Sequence, residues 1–324
     1  MSEPLRDPQQ QLDWEAQQRP RAAVAAVLGG LLVFGGQIAR QLALQDAPRA
    51  RFLDGLESAA APGDVGGRQS LQVATAQFLD DHVIGMIVPS VIEALGYFAV
   101  AYALTFLAAA TRARRKEMIK LALYLPAIGG VLMGVSTILR AVGRVGDVNA
   151  FLDGPRTVAE AQDIGLGGVS LVAEVLLLPA TLALAAALLL VSLNAMRAGL
   201  LTRFMGILGA IVGALQVIRI GPLPLVQTFW FLALAVLLAG RRQGGELPAW
   251  RTGREEPWPS QREVAEARQR QRQAAKPQAA EPQAAEPQAA EPQAAEPQGA
   301  EPAAATAAGA PQPSSGKRKR KRRT

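Results

Sequence analysis

The stretch Val169–Met196, VSLVAEVLLLPATLALAAALLLVSLNAM, sets the class of structure this chain can adopt. It is 28 residues long and holds one charged residue, Glu174. Strands are far shorter, and soluble domains seldom bury so long an apolar helix. At about 1.5 Å of rise per residue, roughly 20 apolar residues cross the ~30 Å hydrocarbon core of a bilayer. The run reads as a transmembrane helix, and the chain as an integral membrane protein.

Similar runs recur as far as Gly240. They lie at about Ala22–Leu44, His82–Ala110, Leu121–Val142, Gly165–Met196, Phe204–Ile220 and Leu225–Gly240. Half of the 324 residues are apolar, yet the mean hydropathy is only +0.15, because a polar segment follows the apolar one. The expected domains are a polar cytoplasmic arm at 1–21, a six-helix transmembrane domain at 22–240 and a disordered cytoplasmic tail at 241–324. A cleaved signal peptide is the rival reading of the first run. The polar arm before it, and Arg40 where a cleavage region would lie, argue for a span. Lys and Arg gather in the arm, in TRARRKEMIK (Thr111–Lys120), at 197–203 and after 240, whereas loops 45–81 and 143–164 are acidic. The positive-inside rule then puts both termini in the cytoplasm of a plasma-membrane protein. Pro89, Pro126 and Pro179 fall inside spans and are expected to bend them. Gly130-x-x-x-Gly134 and Gly209-x-x-x-Gly213 are expected to pack helices within the chain.

The odd-numbered spans repeat. VLGGLLVFGGQIAR (Val27–Arg40) aligns without a gap on AIGGVLMGVSTILR (Ala127–Arg140), and LGAIVGALQVIR (Leu208–Arg219) follows the same pattern. Each ends in arginine, and Gln37, Thr137 and Gln216 stand three residues before it. VPSVIEAL (Val88–Leu95) aligns with VSLVAEVL (Val169–Leu176), which places Glu93 on Glu174, with Gln227 as the counterpart in the last span. FLDGL (Phe52–Leu56) and FLDGP (Phe151–Pro155) precede the second and fourth spans. The fold class expected is an all-α polytopic membrane bundle of six helices, arranged as three tandem hairpins.

An ionised residue at bilayer depth costs about 2.5–3.5 kcal/mol on insertion scales, so it faces the bundle and seeks a partner. Glu93 and Glu174 each lie about ten residues, or roughly 15 Å, from the outer ends of their helices. Both are expected to face the interior and to pair with some of Arg40, Arg140 and Arg219, with Gln227 beside them. Two uses fit. The pairs fix helix register, or they line a polar cavity, open to the outside, in which a glutamate holds a proton, cation or polar solute.

Other chemistry finds little support. Cysteine is absent and His82 is the only histidine, which removes thiol and multi-histidine sites. Asp80-Asp81-His82 reads as a helix cap at the interface. Asp147-x-Asn149-x-x-x-Asp153 lacks the ligands of a calcium loop. Gly165-x-Gly167-Gly168 has no strand before it, so it is no nucleotide fingerprint. No catalytic residue, cofactor or metal is implied.

The tail after about residue 243 carries several patterns of its own. Trp250 and Trp258 are expected at the membrane interface. Ser260-x-x-Glu263 is a capping box ahead of a short polar helix. AAKPQ and four AAEPQ pentads (Ala274–Gln298) form an extended spacer. The block Lys317, Arg318, Lys319, Arg320, Lys321, Arg322 and Arg323 suits anionic lipid or another polyanion, with no specific nucleic-acid site. Upstream, PGDVGG (Pro62–Gly67) marks a turn in the first acidic loop.

LTRFMGILG (Leu201–Gly209) and FWFLALAVLLAGRR (Phe229–Arg242) resemble the end of uncharacterised bacterial six-span membrane proteins, and the likeness extends over 20–240. It implies a fold and no chemistry. Two function classes follow. One is a non-enzymatic membrane protein with a scaffold, stress or regulatory role. The other is a small transporter or channel using the intramembrane Glu/Arg cluster. A cavity reaching Glu93 and Glu174 favours the second, and a dry paired interior the first.

Overall fold

Every apolar run of the sequence is helical in the computed structural model, which describes residues 8–48, 55, 60, 63–218, 224–241, 246–258 and 261–274. In chain order the helices are α1 (Pro8–Ala43), α2 (Val73–Asp81), α3 (Val83–Arg114), α4 (Leu121–Asp153), α5 (Val158–Gln162), α6 (Gly168–Arg197), α7 (Arg203–Val217), α8 (Leu225–Leu238), α9 (Pro248–Thr252) and α10 (Gln261–Ala274). Four of them, α1, α3, α4 and α6, are long and apolar enough to cross a bilayer. They continue through Pro20, Pro89, Pro126 and Pro179. The last two apolar runs form shorter helices of 15 and 14 residues. These reach about 22 and 21 Å by the helical rise, less than the hydrocarbon core.

The helices close a ring in chain order. α1 packs on α3, α3 on α4, α4 on α6, α6 on α7, α7 on α8, and α8 returns to α1. Neighbours run antiparallel. Gly29 faces Val100 while Gly36 faces Pro89 and Glu93; Gly129 faces Leu184 while Gly143 faces Ser170. Close approach needs glycine at the tightest crossing: a Cβ at Gly96 would stand 2.6 Å from the Val33 amide nitrogen. Gly130 and Gly134 meet Ala101 and Phe98 of α3, and Gly209 and Gly213 meet Ser192 and Leu188 of α6. Both glycine pairs therefore pack within the chain. The ring's centre is filled by fully buried Leu104, Leu184, Leu188, Trp230, Phe231 and Leu234. Trp230 stands edge-to-face on Phe231 at 5.0 Å and donates its Nε1–H to the Met205 carbonyl at 2.9 Å.

At the acidic-loop end, α4 continues to Asp153 instead of stopping near Val142. A second small core forms there from Ala76, Leu79, Met86, Val148, Phe151 and Ala161. The two acidic loops dock through a bridge between Gln69 and Thr157. Asp64 turns the first loop by accepting from the Gly66 and Gly67 amides. Thr157 and Glu160 make the capping box of α5. Asp147 accepts from the Gly165 amide at 2.9 Å and the Ser170 hydroxyl at 2.6 Å, tying α4 to the start of α6. Asp80 and Asp81 end α2 and cap nothing; exposed His82 joins α2 to α3 and stacks on Phe78.

The basic-loop end corrects two expectations. Residues 1–21 are not a free arm throughout: α1 starts at Pro8, and Gln11 and Glu15 are buried. Nor does the folded region stop at 240. Residues 246–258 lie on the bundle, with Trp250 4% exposed. Glu15 forms a bidentate pair with Arg114, and their side chains are 3% and 0% exposed. Arg114 also donates to the Ala249 carbonyl at 2.9 Å, and Arg19, paired with Glu246, lies over the Trp250 ring at 4.5 Å. Trp14, Phe106 and Trp250 stack in series. The Trp250 and Trp258 Nε1–H groups donate to the Leu200 and Leu201 carbonyls. This latch fastens α9 to α1 and α3.

Residues from Ala265 onward form a separate unit, in which Glu266 and Arg270 pair along α10 at 3.7 Å. The FLDGL fragment (apart from Gly55), the residues 221–223 of the turn before α8, Ser260 of the expected capping box, the AAEPQ pentads and Lys317–Arg323 lie outside the described residues.

Gly96→Ala is expected to lower the melting temperature of the detergent-solubilised protein, at a cost of about 1–3 kcal/mol for overpacking. Gly35→Ala, whose Cβ meets nothing within 4 Å, leaves it unchanged or raises it. Arg114→Met strands Glu15 in the interior and is expected to cost about 3–5 kcal/mol in the same measurement.

Candidate functional site

A cavity of about 600 Å³ opens at the acidic-loop end of the ring, where α7 and α8 stop short of their neighbours. The repeated polar positions of the sequence converge on it. α1 supplies Gln37 and Arg40, α4 supplies Thr137 and Arg140, α7 supplies Gln216, and α3 and α8 supply Glu93 and Gln227. Ser90, Tyr97 and Arg144 line it as well. The sequence held a signal for two of these: Tyr97 follows Glu93, and Arg144 follows Arg140, by four residues on one helix face. Apolar side chains such as Met86, Met133, Leu177 and Val212 complete the wall. Toward the basic-loop end, fully buried Leu104, Leu184 and Phe231 fill the ring, so the cavity ends blind.

The ion pair at its wall is complete on the acid side. Arg40 Nη2 pairs with one Glu93 oxygen, and Gln37 Nε2 donates to the other at 3.1 Å. The Glu93 side chain is 7% exposed and that of Arg40 35%. A carboxylate so deep is stable only with such partners. The hydroxyls of Ser90 and Thr137 donate back to the Met86 and Met133 carbonyls, each at 2.8 Å.

Glu174 departs from the expectation. Its Oε1 lies 3.0 Å from Arg140 Nε, without the alignment of a hydrogen bond, but the side chain is 54% exposed and does not line the cavity. The reason is an offset between the hairpins. In the first, Ala43 faces Gly85; at the equivalent place in the second, Gly143 faces Ser170, the counterpart of Pro89. α6 is thus slid one turn, about 6 Å, toward the acidic-loop end relative to α3. Glu174 is carried outward with it and needs no burial.

Several donors on the wall have no acceptor among the described residues. They are Arg40 Nε, Arg140 Nη2 and Gln227 Nε2. Gln227 is 9% exposed. Arg219, expected in the same cluster, lies outside the described residues. Among the described residues no group of acidic, histidine or cysteine side chains is arranged to hold a metal ion.

Burial ranks the two halves of the Arg40–Glu93 pair. Arg40→Ala leaves a buried carboxylate with Gln37 alone, whereas Glu93→Ala leaves a guanidinium that opens onto the cavity. Arg40→Ala is therefore expected to lower the melting temperature more than Glu93→Ala, and the double variant to lose less than the sum. No family model, curated protein or solved structure matches this chain.

Proposed function

We propose that this chain is a non-enzymatic plasma-membrane protein that crosses the bilayer six times and binds a polar solute in a vestibule facing outward, as the binding half of a small transporter. One observation carries the reading. All three hairpins place polar side chains around a single cavity of about 600 Å³ inside an otherwise apolar ring. Polar groups at membrane depth are costly, and their concentration around a space of ligand size supports a binding role. The packing of α7 and α8 in the ring beside four long apolar helices supports counting them as the fifth and sixth crossings. A vestibule filled with water shortens the apolar path that α7 and α8 must span. The charge pattern supports acidic loops outside and both termini in the cytoplasm. With a cytoplasmic C-terminus, the sequence block Lys317–Arg323 suits contact with anionic lipid.

The sealed basic-loop end favours a second reading, a scaffold or regulatory protein. There the latch of Glu15, Arg114 and Trp250 leaves a dry, paired interior. The cavity at Glu93 favours binding.

Because the chain has no cysteine, single cysteines report topology directly. Gln216→Cys in intact cells is expected to react with a membrane-impermeant thiol reagent added outside. Leu182→Cys, on the lipid-facing side of α6 and 49% exposed, stays unlabelled. A Gln216→Cys variant that reacts only after the membrane is opened would put the cavity on the wrong side and end this reading.

A further inference from the structure

We propose that the vestibule selects an organic anion with an apolar body, such as an amphipathic carboxylate, whose charged end is held by Arg140 and Gln227. The inference rests on the vestibule reading and adds the chemistry of its ligand. Charge comes first. The described lining residues include three arginines, Arg40, Arg140 and Arg144, against one carboxylate, Glu93. Glu93 is already engaged by Arg40 and Gln37 on both oxygens, so it is not a seat for a cation. Arg140 is neutralised only at the edge, by a half-exposed Glu174 that contacts Nε out of hydrogen-bond alignment. Arg144 stands exposed at the mouth with no ion pair among the described residues. Two positive charges in the cavity wall thus lack a full counter-charge among the described residues.

Hydrogen bonding points the same way. A guanidinium offers donors only, and Arg140 Nη2 has no acceptor among the described residues. Gln227, nine-tenths buried on α8, lines the same cavity and its Nε2 has no acceptor among the described residues. A buried donor without an acceptor is unfavourable, so the wall is complementary to a group that only accepts hydrogen bonds. A carboxylate or a phosphate does so with charge assistance. Size and wall then exclude a bare inorganic ion as the best fit. A space of about 600 Å³ bounded by Met86, Met133, Leu177 and Val212 suits an anion that carries hydrocarbon. A free carboxylate and an anionic lipid headgroup share this chemistry.

The test uses full-length protein in phosphatidylcholine nanodiscs, with octanoate and its neutral analogue octanamide as probes. Octanoate is expected to bind at least tenfold more tightly than octanamide. Arg140→Gln and Gln227→Leu should each weaken octanoate about tenfold and leave octanamide unchanged, and Arg144→Gln, at the exposed rim, should weaken it less. In the Gln216→Cys protein an anionic thiol reagent should react faster than a cationic one, after correction for their rates with a free thiol, and octanoate should slow both. Competition by phosphatidylglycerol in the nanodisc would support the same anion site and assign its source to the lipid. Equal affinity for octanoate and octanamide, or a faster cationic reagent, would overturn the proposal. Should Gln216→Cys label from outside while octanoate fails to bind, the vestibule stands and the anion falls. Should it not label from outside, both fall.

Discussion

The mismatch in helix length around the closed ring governs the rest of this structure. Four helices of 30 to 36 residues stand beside two of 15 and 14. A ring of equal helices would pack its axis with side chains from end to end, as the basic half does around Leu184, Trp230 and Phe231. Where α7 and α8 end early, α1, α3 and α4 are left with faces turned toward an opening among the described residues. Polar residues on those faces are then tolerable, because an opening of this size admits water. The same side chains packed against lipid or against a dry core would cost far more.

Once the opening exists, the hairpin repeat explains what lines it. α1 and α4 each bring a polar residue and, three positions later, an arginine on the same face, and α7 brings Gln216. The partners do not repeat so faithfully. Glu93 sits inside the ring under Arg40 and Gln37, while Glu174 is displaced one turn outward and keeps only an edge contact with Arg140. In the third hairpin the acid is replaced by Gln227. Progressive loss of buried negative charge, against arginines that persist at Arg40 and Arg140, turns a self-neutralised motif into a wall with net positive charge. The slide of α6 takes Glu174 out of the cavity wall, whose described lining residues then hold three arginines against Glu93 alone.

Much of this was legible from the residues, and the gaps have physical causes. The long helices were readable because about 20 apolar residues leave few alternatives. The pairing of Arg40 with Glu93 was readable because charges at membrane depth have few places to go. Burial of Glu174 was not a sound inference, because the offset between hairpins depends on contacts such as Gly143 with Ser170 that lie outside the repeat. The latch was missed altogether. Gln11, Glu15, Trp250 and Trp258 sit in segments polar enough to read as arm and tail. Burial there is enforced by tertiary partners far apart in sequence, Arg114 with Glu15 and Ala249, which no local pattern announces. The helix extension to Asp153 was missed for a similar reason. Its apolar residues, Val148 and Phe151, bury against α2 and α5 rather than in the main bundle.

The two ends of the ring also differ in what movement they allow. At the basic-loop end α1, α3 and α9 are joined by a buried bidentate ion pair, the Ala249 carbonyl accepting from Arg114 and a stack of three aromatic rings. Parting them would expose Glu15 and Arg114 singly to a low-dielectric interior, which is among the costlier rearrangements a protein can make. The joint between α8 and α1 is built differently. It has Gly30 against Phe231 and Thr228, and a long contact of 3.4 Å from the Thr228 hydroxyl to the Gly30 carbonyl. Its surfaces are small and mostly apolar, so they can slide without stranding a charge. Arg19, reaching from α1 to Glu246 and the Leu237 carbonyl, is the one charged tie along that seam. The seam between α8 and α1 is therefore held by fewer polar contacts than the end where Glu15, Arg114 and Trp250 meet.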